Sequence, residues 1–513
     1  MKQLVILFTL FGASITTMAQ LPANMYLDST HAPFTLGVTS GDPTTDAVIL
    51  WTRIEPDSAT QANAQVNWEI AKDMGFTQVI NSGTVTTDAN SDWTINVDAT
   101  GLAPHTIYYY RFDDGNGNYS VMGRTRTAPA GLAPHVRMAT LSCSSVFSGF
   151  FNGYRRIAER EDLDLIVHVG DHIYDFVDSD EQVRVPVDYP YIEGNGTYDV
   201  DSLHEWRELH RLYLHDPDLR EARRMHPWIL MWDNHDVAGS NKNEPIQAFH
   251  EYVPVRVPDS TEMDKIYRTI HYGDLIDFIT LDILLFRDTD QVPGTGDNSI
   301  IGNDQYNWFT QELSNSTAVW KFVPSQNLIG GWSIIGIPQW IGIGNGTVLD
   351  DSNWDGYDSD RDRVLHYLDD NNINNVFFLT GDSHVSIAAD LSWDPVDGSV
   401  YDPATGNGSV AVELLASSLT RGNLDEMGFG WALGIIEPIM SGANPNHVYQ
   451  DWTEHGYGIV DVKPDSAVAE MWFSDKMGIS NTETFAGGYV VEVNSNHYNR
   501  DVTATPTGDK DIT

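Results

Sequence analysis

The sequence predicts an α/β (α+β) domain preceded by a small all-β sandwich. Three observations carry this. Residues 33 to about 128 are a series of short segments rich in β-branched and aromatic residues, broken by Gly, Asp, Asn and Pro. After Thr127-Ala-Pro-Ala-Gly131 strand-like and helix-like segments alternate. Several apolar runs in that second part stop abruptly at an Asp, Asn, His or Cys. At 513 residues the chain has room for both units.

The elements follow in order. Met1-Lys-Gln, the apolar run Leu4 to Phe11 and the small residues Thr17 and Ala19 have the layout of a secretory signal peptide, residues 1–19. That layout predicts an exported protein, periplasmic or secreted. No later stretch is long and apolar enough to span a bilayer. Phe34 to Pro43, Ala47 to Arg53, Gln65 to Ile70, Thr94 to Val97 and Thr106 to Phe112 are the sandwich strands, within a module assigned to residues 20–130. The α/β domain is assigned to residues 131–495 and an irregular tail to 496–513. In the domain, Val136 to Leu141 is a strand and Gly153 to Glu159 a helix. Ser202 to Tyr213 is a helix whose apolar face holds Leu203, Trp206, Leu209 and Leu212. Helices are also expected around Gln305 to Leu313 and Arg361 to Leu368.

Leu163-Asp-Leu-Ile-Val-His-Val-Gly-Asp-His-Ile-Tyr174 is the segment around which the rest is arranged. Its apolar run reads as a strand covered on both faces, and Gly170-Asp171 ends it. Three other strands end similarly: one at Ser142-Cys143, one at Asp233-Asn-His-Asp236, one at Gly381-Asp-Ser-His384. In open α/β sheets, ligands collect at the carboxyl ends of strands. Cys143, Asp171, Tyr174, Asn234, His235, Asp382 and His384 therefore form the candidate site. Arg155, His172 and Asp236 are secondary candidates for contacting substrate.

The 29 Lys+Arg against 73 Asp+Glu give a net charge of -44. No basic face for nucleic acid is evident. The acidity fits carboxylate ligands for hard cations. Cys143 is the single cysteine, so no internal disulfide can form.

Taken in order, Gly37-Val-Thr-Ser-Gly-Asp-Pro43, Leu50-Trp-Thr-Arg53, Ser142-Cys143, Gly170-Asp-His-Ile-Tyr174, Trp232-Asp-Asn-His-Asp236, Trp354-Asp-Gly-Tyr357 and Gly381-Asp-Ser-His384 resemble the PhoD-type alkaline phosphatases/phosphodiesterases of the calcineurin-like metallophosphoesterase superfamily. The resemblance implies a metallophosphoesterase sandwich of two sheets flanked by helices. It implies an Fe3+ ion held by Cys143, Tyr174 and His384, with one or two Ca2+ ions near Asn234 and Asp382. Asp171 would bridge the metals, and His235 would be the catalytic acid that serves the leaving oxygen. Small phosphate monoesters or diesters would be hydrolysed at alkaline pH by a water that the metals activate. No membrane span and no obligate protein partner is implied.

The chain departs from the family pattern at Asn234, where a carboxylate is usual, and at Asp236, where Glu is usual. Leu281-Asp-Ile-Leu-Leu-Phe-Arg287 replaces a stretch that usually carries a further arginine. Two other readings share part of these observations: a phospholipase D-type phosphodiesterase on the same scaffold, and a non-enzymatic calcium-binding adhesive protein.

Overall fold

The computed structural model describes residues 21–176, 183–185, 200, 202–257, 261–288, 298–342 and 348–507. The expected signal peptide, residues 1–19, lies outside the described residues. Among them, no helix is long and apolar enough to cross a membrane.

Strands β1 (Val38–Gly41), β2 (Ala47–Arg53), β3 (Ala64–Ala71), β4 (Val79–Thr87), β5 (Thr94–Thr100), β6 (Ile107–Asp113) and β7 (Gly123–Arg126) come first. β8 (Val136–Leu141), α1 (Asn152–Glu159), β9 (Leu165–His168), α2 (Leu203–Tyr213), α3 (Pro217–Met225), β10 (Pro227–Leu230) and α4 (Asn243–Tyr252) follow. Next come β11 (Thr269–Tyr272), β12 (Ile276–Ile279), α5 (Gly302–Asn315), β13 (Trp320–Asn327), α6 (Asp358–Asp370), β14 (Val376–Gly381), β15 (Ser386–Leu391) and β16 (Ala411–Leu415). The chain closes with α7 (Leu433–Ala443), β17 (His447–Asp451), β18 (Gly456–Val462), β19 (Ser466–Ser474), β20 (Glu483–Glu492) and β21 (Tyr498–Thr503).

Two sheets build the larger unit. One has ten strands in the order β21-β20-β19-β18-β8-β9-β10-β1-β2-β5, the other seven in the order β11-β12-β13-β14-β16-β15-β17. Their facing surfaces share one core, in which Met138, Leu165, Val167 and Ile229 of the first meet Phe278, Phe322, Phe377 and Leu379 of the second. The outer face of the first sheet packs with Trp206, Leu209, Leu219 and Phe249 of α2, α3 and α4. The outer face of the second packs with Phe309, Leu313, Val364 and Leu365 of α5 and α6. Strands β8, β9, β10 and β14 are buried along their whole length, as strands covered on both faces must be. The helix α2 begins where the sequence places it: Ser202 and Glu205 form a reciprocal capping box.

The amino-terminal sandwich is present but not separate. The four-stranded sheet β4-β3-β6-β7 is one of its layers. Strand β6 alternates buried and half-buried residues, turning Tyr108, Tyr110 and Phe112 inward. The opposing layer is β1, β2 and β5, and these belong to the ten-stranded sheet, because β1 pairs in parallel with β10 (Ser40 with Pro227, Gly41 with Trp228). A boundary at 130/131 therefore divides the chain but not the sheet.

Asp42, directly after β1, secures this junction. Its carboxylate accepts Nε of Arg268 at 2.9 Å, Nη2 of Arg268 at 2.7 Å and the Arg256 N–H at 2.6 Å. Both side chains are buried. Arg268→Ala leaves this carboxylate without its counter-charge and should lower stability by about 3–5 kcal/mol. The measurement is a denaturant titration, which should show an earlier midpoint.

The expected irregular tail is corrected in part. Residues 498–503 form β21 and pair with β20 at the edge of the ten-stranded sheet. Tyr498 is buried and its hydroxyl donates to the Glu413 carbonyl at 2.9 Å, while Arg500 lies 2.6 Å from the buried Asp390 carboxylate. The polar run Tyr-Asn-Arg-Asp-Val-Thr hides this strand, since an edge strand needs few apolar residues. Residues 508–513 lie outside the described residues.

Candidate metal centre

The carboxyl ends of β8, β9 and β10 lie side by side in one sheet, and β14 ends opposite them in the other. Each strand hands over to a tight turn. Cys143, Asp171, Asp382 and His384 all adopt left-handed backbone conformations, with φ of 56°, 54°, 63° and 55°. Such conformations cost non-glycine residues about 1–2 kcal/mol each and persist where the surroundings enforce them. Gly170 has φ 120°, and a Cβ there would lie 2.6 Å from Cβ of Asp233. Only glycine lets the β9 and β10 exits approach this closely.

Two donor groups result. Cys143, Asp171 and His384 have ligand atoms all within 4.8 Å of one another, and so do Asp171, Asp233 and Asp382. Asp171 belongs to both. Its Oδ2 accepts the Tyr174 hydroxyl at 3.0 Å and lies 3.9 Å from the Cys143 sulfur. Its Oδ1 accepts the His235 backbone N–H at 3.1 Å. The Tyr174 hydroxyl is also 3.3 Å from Nε2 of His384.

Burial and mutual repulsion raise the acids of this cluster. Burial pushes the Asp171 carboxyl up to about 6, against the pull of His235. Burial and the charges of Asp171 and Asp350 push Asp382 up to about 7. Burial, with Asp382 and Asp171 beside it, holds Asp233 well above the carboxylate range. The Cys143 thiol and the Tyr174 phenol are likewise pushed up, first by burial and then by neighbouring acids. His384 goes the other way: burial lowers it to about 3, although the Gly422 carbonyl opposes this. Its Nδ1 donates to that carbonyl at 2.9 Å, which leaves the Nε2 lone pair aimed at Tyr174 and Asp171. A backbone carbonyl fixing the far nitrogen is the usual arrangement behind a metal-binding imidazole. The first group, with sulfur, nitrogen and oxygen, suits a transition metal, and the all-oxygen group suits a hard cation. The residues present therefore fit a pair of metal ions.

His235 lies against this cluster. Its ring is tilted over Tyr174 with centroids 4.2 Å apart, and Nδ1 is 2.6 Å from Oδ1 of Asp175. Burial alone would lower its pKa, but Asp171 and Asp175 overcome this and raise it to about 9.

The secondary candidates are placed differently. Arg155 gives Nε and Nη2 to the Asp218 carboxylate at 2.9 and 2.5 Å and Nη1 to Asn481. Its donors are thus engaged on α3 and the β19–β20 connection. His172 is buried between His210 and Phe249, with Nδ1 2.7 Å from Asp236. Asp236 is fully buried and accepts the backbone N–H groups of Asp171, Asp233 and Ile173 at 2.7, 2.8 and 3.1 Å. Burial raises it to about 7 despite those donors. It clamps the β9 and β10 exits together and has no solvent-exposed surface. Asn234 has an exposed side chain, while Asp233 beside it is buried in the second donor group. Trp354 and Tyr357 are buried in the α5–α6 core.

Four features were not anticipated. Asp233 stands within Trp232-Asp-Asn-His-Asp236, and its position directly after Trp232 was the available signal. Asp175, which holds His235, is one residue past Tyr174. Arg287 survives in the altered stretch, and its charge lowers the Asp382 pKa. The fourth is a fifth strand exit, after β16. There Thr420 and Arg421 donate their N–H groups to the Cys143 carbonyl, both at 3.3 Å, and Gly422 holds His384. The Arg421 guanidinium lies 5.5 Å from the Tyr174 ring centroid, and Lys476 Nζ donates to the Thr420 carbonyl at 2.9 Å. That exit carries no metal-type residue, so nothing in its composition marks it.

A two-sheet sandwich with a carboxylate shared between two donor groups at its strand ends is the frame of a candidate two-metal centre. Residues 138–471 match the PhoD-like phosphatase family and residues 20–129 match the PhoD-like phosphatase N-terminal domain. The chain belongs to the PhoD-like phosphatase family. It is 31% identical over 432 residues to alkaline phosphatase D of Bacillus subtilis (strain 168), covering 76% of this chain and 70% of the relative. It also matches a solved structure described as the structure of PhoD, with a TM-score of 0.78, 28% identity and 93% of each chain covered.

Proposed function

We propose that this phosphatase is an exported enzyme that hydrolyses small phosphate monoesters, diesters or both at alkaline pH, with one Fe3+ and one or two Ca2+ ions. The observation that carries this reading is Asp171, shared by a mixed sulfur, nitrogen and oxygen group and an all-oxygen group. In this reading Cys143, Tyr174 and His384 hold the iron. Asp382, Asp233 and, from the solvent side, Asn234 serve calcium. When bound, the ions neutralise phosphoryl oxygens and make a water nucleophilic near neutral pH.

The protein's own groups do the rest. His235 gives its proton to the leaving oxygen, and Asp175 fixes its ring and keeps it charged. Asp236 and the 417–423 segment keep the ligand loops in register. Residues 1–19 serve as signal peptide, and the β-rich module of residues 20–130 borders the catalytic residues 131–495.

The test is hydrolysis of p-nitrophenyl phosphate and bis-p-nitrophenyl phosphate with and without a calcium chelator. Activity lost on chelation and restored by calcium supports the reading; hydrolysis indifferent to exhaustive metal removal contradicts it. His235→Ala should retain its metals and lose turnover by on the order of 10²–10⁴. Asp175→Asn removes a charge that raises the His235 pKa. The alkaline limb of its pH–rate profile, where His235 loses its proton, should move to lower pH.

A further inference from the structure

Residues 322–349 contain no Asp, Glu, Lys or Arg, and residues 427–446 contain one, Glu437. Such stretches are conspicuous in a chain of net charge -44. The fold brings them together. Ile337 and Ile341 from the first, and Ile436 and Met440 from the second, share a buried cluster with Val385 and Leu424. Val385 directly follows His384, and Leu424 lies two residues beyond Gly422, which holds His384. The surface above this cluster is thus rooted in the same strand exits as the candidate metal centre.

That surface is apolar and open to solvent. Trp340 is 69% exposed, Trp431 64%, Ile335 64%, Ile435 43% and Met427 41%. The two indoles stack on each other, with centroids 5.9 Å apart and planes 29° from parallel. Single exposed apolar residues are ordinary, but a contiguous group marks an interaction surface.

We propose that this face docks on an electrically neutral lipid surface, of the zwitterionic phosphatidylcholine kind. Tryptophan concentrates at the membrane–water boundary, where its apolar ring and N–H are both satisfied. The apolar helix α7, which follows Trp431, turns Ile436 and Met440 into the buried cluster and leaves Ile435 exposed, so it adds apolar surface beside the indoles. Charge selects the type of lipid. A chain at -44 is repelled by anionic headgroups, and these stretches offer no Lys or Arg to offset that repulsion. A glycan platform needs ring faces turned outward, whereas these indoles turn faces toward each other. Docking would bring the strand exits to phosphate esters presented on a lipid layer. That consequence rests on the metal-centre reading; the docking itself does not.

The experiment uses the mature chain and its Trp340→Ser/Trp431→Ser variant, each mixed with phosphatidylcholine vesicles and sedimented. The native chain should partition to the vesicles and the variant about tenfold less or weaker still. Including about one third anionic lipid should weaken binding at low salt. Both proteins should hydrolyse p-nitrophenyl phosphate equally, which also shows that the variant is folded. In the native chain, phosphatidylcholine brominated along its acyl chains should quench tryptophan emission. Binding without hydrolysis of the soluble ester would support docking and count against the metal centre. Three results would overturn the proposal. One is no vesicle binding. Another is equal binding by the variant. The third is a native dimer, or retention on an insoluble glycan, that the variant loses.

Discussion

Asp171→Asn should lower ester hydrolysis by on the order of 10⁴-fold while leaving the fold intact. Removing one charge-stabilising donor from a phosphoryl or acyl transfer site typically costs a factor of about 10²–10³. Asp171 stands in both donor groups, so its loss reaches both at once. The substitution keeps an oxygen for the His235 N–H, and it removes a carboxyl that burial already disfavours as an anion. With both proteins stripped of metal, the circular dichroism spectrum and the denaturation midpoint should therefore match or exceed those of the parent. Bound metal, measured by elemental analysis, should fall for both ions. Loss of one ion alone would show that Asp171 is not shared.

The second large effect belongs to Asp236. Asp236→Ala strands three buried backbone N–H groups, those of Asp171, Asp233 and Ile173. Each unsatisfied donor costs about 1–3 kcal/mol, so the folded state should lose at least about 3 kcal/mol. Activity should drop further than stability alone dictates, by about 10–100-fold in the remaining folded protein, because the clamp sets the spacing of two ligand loops. Asp236→Asn retains one carbonyl oxygen and should fall between parent and Ala on both scales. The check is a denaturation curve paired with kcat measured at a temperature where each variant is folded. An Ala variant with full kcat would remove Asp236 from the positioning role.

The residues made some of this legible and concealed the rest. Apolar runs ending in Asp, His or Cys located the β8, β9, β10 and β14 exits, because strands covered on both faces read as continuous hydrophobic segments. The helix face of Trp206, Leu209 and Leu212 was visible from its period. The joining of β1 to β10 was not, because the rest of the amino-terminal module and then β8, α1, β9, α2 and α3 lie between Ser40 and Pro227. That Asp233 is buried while Asn234 is exposed was not legible, because it turns on a single step beyond the strand. The left-handed turns at Cys143, Asp171, Asp382 and His384 leave no trace in composition, since none is glycine. Asp236 looked like a possible substrate contact because its burial depends on how two loops meet.

The most direct measurement is the visible absorption spectrum of the purified protein beside that of Tyr174→Phe. The Tyr174 hydroxyl sits 3.0 Å from Asp171 and 3.3 Å from His384, among the atoms assigned to iron. A tyrosinate-to-iron charge-transfer band is expected in the parent and should disappear in the variant. A fully active parent with no such band, or a band that survives Tyr174→Phe, would contradict the assignment of Tyr174 to iron.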